Sequence, residues 1–245
     1  MAVKDFFRKL TGNVLYYPGC LTKGVLNTEF NNYKQIFNKL GIDYILIPNE
    51  VCCGLPIINA GYKKDAKKLA ETNFDLFKKR KVYKIITNCP SCYHTFKKIY
   101  PKLVTDWDIE VEHATQTILN RLKKKKIKSD REEKEIVSYH DPCHLGRYSG
   151  EYANPRKVIK LLGGKLVEAE YAKEKSFCCG GGGGVRANYT QTSKKIAKLR
   201  TTHFPEEAKK IVTPCGLCYS NLSEADERTV EFSTYVLGKL RGLGW

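Results

Sequence analysis

Two spacings of apolar residues alternate along this chain: short continuous runs, and longer stretches in which apolar positions recur three and four apart. In the first part, the runs within VLYYPG, DYILIPNEV and KIITN predict strands. Between them Phe30, Tyr33, Ile36, Phe37 and Leu40 share one helical face, stopped by Gly41, and Ala66, Leu69, Ala70, Phe74 and Phe77 share another. The same order then returns. EIVSYHDP predicts a strand, Asn154-Pro155 opens a helix that Gly163-Gly164 closes, KLVEAE predicts a further strand, Ile196 and Leu199 mark a later helix, and KKIVTP ends the series. Strands alternating with helices predict parallel sheets, so the expected class is α/β with two similar Rossmann-like halves. The halves are expected at residues 1–122 and 136–245, joined by a charged linker at 123–135 within RLKKKKIKSDREEKE.

The cysteines follow the same doubling. Cys20, Cys52-Cys53-Gly54 and Cys89-Pro90-Ser91-Cys92 are answered by Cys143, Cys178-Cys179-Gly180 and Cys215-Gly216-Leu217-Cys218, which accounts for all 10. From the paired cysteines onward the second copy lies 126 positions after the first, whereas Cys143 lies 123 after Cys20. Disulfides are disfavoured: each set is odd, vicinal cysteines bridge each other only under strain, and a chain this long needs no staples. Two equivalent sets of thiols point to two soft-ligand metal sites, the usual equipment of electron transfer or redox catalysis. Ligands of parallel sheets collect beyond the carboxyl ends of strands, where Cys20, Cys89, Cys143 and Cys215 are predicted to sit. Five thiols exceed by one the four of a closed zinc site or of a cubane 4Fe-4S cluster. The count fits either a bridging thiolate or an exchangeable fifth ligand and does not choose between them.

Composition narrows the partners. Hydrophobic residues at 42% and aromatics at 11% are those of a folded protein. The net charge of +17 suits a polyanion, but the lysines are interspersed with acids along helices and no nucleic-acid module is present, so no nucleic-acid partner is expected. No apolar run reaches the length of a membrane span and MAVKDFFRKLTGN lacks a signal-peptide core, which predicts a cytoplasmic protein without a transmembrane segment of its own. The run Gly180–Gly184 fits neither GxGxxG nor a P-loop. Gly54, Gly180 and Gly181 instead allow the backbone to approach a bulky anionic cluster and aim N–H groups at it. Cys89-x-x-Cys92 and Cys215-x-x-Cys218 have thioredoxin-like spacing, yet each stands 36 positions after a paired cysteine, which favours metal ligation. His140 and His144 flank Cys143 as candidate proton or hydrogen-bond donors, and Arg147 and Arg186 are candidate receivers of an anionic substrate. Of these, His144 and Arg147 are the candidates for catalytic roles.

The flanks YYPGC, EVCCGLPIINAGY, TNCPSCY, YHDPCHLGRYSG, FCCGGGGGVR and PCGLCYSNL carry a resemblance over residues 14 to about 225. The chain resembles the tandem cysteine-rich "CCG" domains of heterodisulfide reductase subunits, found also in iron-sulfur subunits of glycolate, lactate and anaerobic glycerol-3-phosphate dehydrogenases. The resemblance implies two non-cubane 4Fe-4S clusters with shared thiolates, one held by Cys20, Cys52, Cys53, Cys89 and Cys92, the other by Cys143, Cys178, Cys179, Cys215 and Cys218. Zinc at the first motif is the alternative it carries. It further implies reduction of a disulfide such as that between coenzyme M and coenzyme B or, as a second reading, electron relay for a flavin-dependent dehydrogenase. The ferredoxin-like segment of several relatives is not found in this sequence, so a ferredoxin-like or flavoprotein donor subunit is the expected partner. A small thiol, disulfide or other electron acceptor is expected beside it.

Overall fold

The computed structural model describes residues 11–48, 50–129 and 134–245. Its first half runs β1 (Asn13–Tyr16), α1 (Cys20–Gly24), α2 (Asn27–Leu40), α3 (Leu55–Asn59), α4 (Lys63–Lys79), β2 (Val82–Thr87), α5 (Pro90–His94), α6 (Tyr100–Leu103), β3 (Glu110–His113) and α7 (Ala114–Lys124). The second runs β4 (Glu135–Tyr139), α8 (Ala153–Leu161), β5 (Gly164–Val167), α9 (Val185–Asn188), α10 (Thr190–Thr201), β6 (Lys210–Thr213), α11 (Gly216–Leu222), β7 (Thr229–Glu231) and α12 (Phe232–Gly242). One sheet has the order β1-β2-β3, the other β5-β4-β6-β7, and every pairing is parallel. The two α/β halves are thus similar, as expected.

The predicted strand DYILIPNEV is reduced to a single parallel bridge of Ile45 to Leu15, at the place β5 fills in the other sheet. Ile45 N–H donates to Val14 O and Tyr16 N–H to Ile45 O, but Pro48 soon removes the donor that a longer ladder requires. The helix at 27–40 forms as its period predicts. Tyr33, Ile36, Phe37 and Leu40 are buried, and Gly41 closes the helix with φ 63°, its N–H donating to Phe37 and Asn38 carbonyls. Helix α10 forms where Ile196 and Leu199 predict one, but Leu199 is 50% exposed and its buried face is Ser193, Ala197, Arg200 and Thr201. Helix α7 continues to Lys124 and β4 opens at Glu135, so both ends of the expected linker belong to regular elements. Its residues 130–133 lie outside the described set.

The halves share a core. Tyr16, Phe37 and Ile118 pack in one cluster with Val137, Tyr139, Phe232 and Val236. Burying one such aromatic is worth about 2–3 kcal/mol. Polar bonds stitch the seam: Tyr33 hydroxyl to Glu231 at 2.9 Å, Asn32 to Thr234 at 3.1 Å, and Gln116 to Glu151 at 2.7 Å. A second cluster, with Tyr17, Phe74, Phe77, Phe96 and Tyr100, lies under the first cysteine set. Both large surface clefts, about 750 and 630 Å³, open at the amino ends of the strands, beside Lys81-Val82 and Lys209-Lys210, away from the cysteines. Among the described residues no helix is long and apolar enough to cross a membrane.

Candidate metal centres

Cys20, Cys89, Cys143 and Cys215 stand just beyond the ends of strands β1, β2, β4 and β6. After β1 the chain turns at Gly19, where φ is +79° and an added Cβ would lie 3.1 Å from Cys89 Cβ and 3.2 Å from Cys92 Sγ. Only glycine permits that approach, and it delivers Cys20 at the start of α1. Cys89 caps α5 directly after β2, with Pro90 at the first helical position, and Cys92 follows one turn later and buried. Cys52 and Cys53 arrive on the loop before α3. There Asn73 Nδ2 donates to Cys52 O at 3.0 Å and the Tyr100 hydroxyl to Cys53 O at 3.1 Å.

The second set is built alike. Cys215 caps α11 after β6, Cys218 is buried within that helix, and Asn221 Nδ2 donates to Cys179 O at 2.5 Å. Gly54 and Gly180, each following a cysteine pair, have φ +89° and +80°. Their amides donate to Cys52 Sγ at 3.4 Å and Cys178 Sγ at 3.3 Å, and Gly181 N–H reaches Cys179 Sγ at 3.4 Å.

The sulfurs of each set follow one another in the same order, each close enough to the next to influence its ionisation. The order runs Cys20, Cys52, Cys53, Cys92, Cys89 in one half and Cys143, Cys178, Cys179, Cys218, Cys215 in the other. Thiols this crowded cannot all ionise. Bonds from Cys52 and Cys92 hold Cys53 well below the usual thiol range, while Cys92, bonded to Cys53 and Cys89 and buried, is pushed well above it. Bonds from Cys143 and Cys179 draw Cys178 down to about 2, while bonding to Cys178 pushes Cys179 up to about 12. Thiolates crowded among thiols are what a soft multivalent cation resolves, because its charge allows the remaining thiols to ionise. The donor set, five sulfurs with backbone N–H groups directed at them, fits an iron-sulfur cluster and also a thiolate-bound zinc.

The two sets are neighbours. His94, two positions after Cys92, lies edge-on to His144 with ring centroids 5.8 Å apart, and Tyr148 packs on both at 5.6 and 5.0 Å. His144 Nδ1 stands 3.4 Å from Cys143 Sγ, and Ser149 Oγ, 3.4 Å from His94 Nδ1, donates to His144 O at 2.7 Å. Burial lowers the pKa of both His94 and His144. On the other side Gly216 lies so close to Leu26 that an added Cβ would sit 2.6 Å from Leu26 Cδ1.

The arginines serve the scaffold. Arg147 Nη2 donates to Ser176 O at 2.6 Å, anchoring the approach to Cys178, and Arg186 binds Asn221 Oδ1 at 2.5 Å and pairs with Glu224. His140 is buried, and one of its ring nitrogens lies with Cys179 and Cys218 Sγ in a group whose atoms are all within 4.8 Å. Burial, then the Arg200 charge, pulls its pKa down to about 3. Arg200 itself was invisible to the sequence reading, and its only signal is a register of small residues, Ser193 and Ala197, preceding it on one helical face.

Comparison with known proteins matches the cysteine-rich domain family, CCG, at residues 14–97 and again at 137–223, which together contain all ten cysteines. One subunit of the dihydromethanophenazine:CoB–CoM heterodisulfide reductase from Methanosarcina acetivorans is 34% identical over 221 residues, covering 86% of this chain and 54% of its own length. An EtfAB:quinone oxidoreductase from Syntrophomonas wolfei is 33% identical over 89% of this chain and 33% of its own. A probable iron-sulfur-binding oxidoreductase, FadF, from Bacillus subtilis is 30% identical over 83% and 30%. The chain therefore spans about half or less of the length of these relatives. Among solved structures, glutamate racemase RacE1 from Bacillus anthracis aligns over 95% of the chain at 9% identity with a TM-score of 0.39, too weak a likeness to bear on function.

Proposed function

Because the chain belongs to the family of CCG cysteine-rich domain proteins, with two copies of the domain, we propose that it is an iron-sulfur oxidoreductase subunit of heterodisulfide reductase type. The observation that carries this reading is the pair of five-cysteine sets, each in the same order along its own α/β half with its own parallel sheet. Cys20, Cys52, Cys53, Cys89 and Cys92 would hold one 4Fe-4S cluster of non-cubane type, and Cys143, Cys178, Cys179, Cys215 and Cys218 the other, with zinc at the first motif as the alternative. Bound clusters supply one-electron chemistry and iron that attracts sulfur. The protein's own part is positional. The Gly54, Gly180 and Gly181 amides offset negative charge at the sulfurs. Cys20 and Cys178, the exposed members, mark the open side where a small disulfide enters. His144 borders that side next to Cys143, and Arg147 holds the loop that carries Cys178. Electrons are supplied by a separate ferredoxin-like or flavoprotein subunit.

Anaerobic reconstitution followed by iron, zinc and sulfide analysis tests the premise: about eight irons per chain are expected, and zinc without sulfide would refute it. An EPR signal that develops when the mixed disulfide of coenzyme M and coenzyme B is added supports disulfide reduction. The similarity to the quinone oxidoreductase and to FadF favours a second reading, electron relay from a flavoprotein without substrate chemistry. Reduction of the clusters by such a flavoprotein, with no response to disulfides, would select it.

A further inference from the structure

Arg200 is fully buried on α10. Removing a guanidinium from water costs several kcal/mol unless anions offset it, yet its contacts are neutral. Nε donates to His140 Nδ1 at 3.3 Å, Nη1 to Tyr171 O at 3.0 Å, and the group lies 4.3 Å over the Phe204 ring. Nη2 is buried with no hydrogen-bond partner. The carboxylate in electrostatic reach is Asp141, already gripped by both Arg156 Nη atoms at 2.7 Å; the other acidic groups acting on it are the thiols of Cys218 and Cys179. Burial lowers Arg200 only to about 10, so it stays charged at neutral pH.

The hydrogen bond to His140 has a fixed direction, because a guanidinium N–H only donates. His140 Nδ1 therefore presents its lone pair, and the proton of the neutral ring sits on Nε2. A histidine that bound a metal through Nε2 would carry its proton on Nδ1, where the Arg200 N–H already points. Arg200 thus occupies the Nδ1 lone pair of His140 and leaves the ring, which lies beside Cys179 and Cys218, with an N–H at Nε2 rather than a free ligand nitrogen.

We propose that Arg200 and His140 form a redox-tuning pair that makes the second cysteine set the higher-potential centre of the two. This rests on the reading of both sets as redox clusters. A side-chain N–H placed beside ligand sulfur and a fixed buried cation both favour the electron-rich state of a cluster. Among the described residues the first set has backbone N–H groups at its sulfurs but no such histidine and arginine. Tyr17 stands where His140 does, three positions before the leading cysteine and buried beside Cys92 and Cys53, but its hydroxyl donates to Val51 O. Matching the buried faces of α4 (Ala66, Ala70, Asn73, Phe74) and α10 (Ser193, Ala197, Arg200, Thr201) sets Asn73 against Arg200. That residue is a neutral amide occupied by Cys52 O and the Tyr100 hydroxyl. Electrons entering the pair of centres settle on the second.

The test is an EPR-monitored redox titration of the full chain reconstituted with iron and sulfide, compared with Arg200→Met and His140→Tyr, the latter installing the first half's residue. Cys215→Ser identifies which signal belongs to the second set. Both tuning variants are expected to keep the parent's iron and sulfide while electron partition shifts at least tenfold toward the first set, ~59 mV for a one-electron couple. Unmoved potentials at full iron content overturn the proposal. So does loss of the second set's iron in His140→Tyr but not in Arg200→Met, which would make His140 a ligand. Should Arg200→Met fail to fold, His140→Tyr decides alone. A parent chain that takes up no iron and sulfide sinks the cluster reading and this proposal together, whereas loaded clusters with unmoved potentials sink only the tuning.

Discussion

The two halves hold their sulfurs in the same order on the same kind of strand-to-helix joints, but they surround them with different polar groups. Around the first set stand Tyr17, Asn73 and the Pro18-Gly19 turn; around the second stand His140, Arg200 and Asp141-Pro142. The caps of the seam helices differ in the same way. His113 caps α7 by accepting from Thr115 N–H, and Glu231 caps α12 by accepting from Ser233 N–H. Cysteine placement is set by backbone features that both halves have, strand ends and positive-φ glycines, whereas the charge near each set is carried by side chains that the scaffold does not dictate. Two sets with the same backbone placement can therefore differ in electrostatics, and that difference is what the proposed tuning rests on.

The comparison breaks most directly at the central buried sulfurs. Cys53→Ser and Cys179→Ser each remove the middle link of one chain of sulfurs. Each is expected to cost about half of the iron taken up by the reconstituted chain, leaving the other set loaded; loss of all iron from either variant would mean that the sites are not independent. Next in size is Asp141→Asn, which breaks a buried bidentate bond to Arg156 for which the first half, with Pro18 at that place, has no equivalent. With Glu168 still holding Arg156 at 2.7 Å, urea unfolding of the metal-free chain is expected to show a loss of about 3 kcal/mol.

The caps sharpen the contrast through pH. Burial pushes Glu231 from 4.5 up to about 7, against the bonds from Ser233 and Tyr33 that lower it. A carboxyl with a raised folded pKa contributes stability below its unfolded value and loses it as pH rises through about 7. Burial draws His113 the other way, from 6.5 down to about 3, so its contribution is complete above pH 6.5 and is lost as pH falls toward 3. Between pH 5 and 8 Glu231 is expected to cost the chain about 3 kcal/mol. Glu231→Gln, with the Tyr33 hydroxyl free to accept from the new amide, should flatten that slope in urea melts at several pH values and leave the acid limb in place. An unchanged slope would show that Glu231 is not the group responsible.

What the sequence disclosed follows the same division. Strands β1, β2, β4 and β6 and the placement of cysteines just beyond them were legible because apolar runs ending at cysteines encode local geometry. Arg200 was not legible, since on a helix marked by Ile196 and Leu199 a cation is expected to face water, and only the packing of α10 against the second set turns it inward. The strand at 43–51 was overread because the apolar run outweighed Pro48, which cannot donate to a ladder and follows the single bridge at Ile45. The caps His113 and Glu231 were missed because their burial arises at the seam, between residues far apart in the chain.

The smallest expected effect isolates the backbone's share of the common geometry. Gly19 and Gly183 both have positive φ, +79° and +63°, but a Cβ at Gly183 would meet nothing within 4 Å, whereas one at Gly19 would press on Cys89 Cβ and Cys92 Sγ. Gly183→Ala should therefore cost only the strain of a left-handed alanine, about 1 kcal/mol. Gly19→Ala should cost about 2 kcal/mol, because crowding adds to that strain, and it alone should weaken iron uptake, at the first set, by displacing the buried Cys92. Chemical unfolding of the metal-free variants measures the first difference and iron titration the second. Equal costs with iron uptake intact in both would mean that the Gly19 turn does not position the first set, and that the likeness of the two centres rests on their strand ends alone.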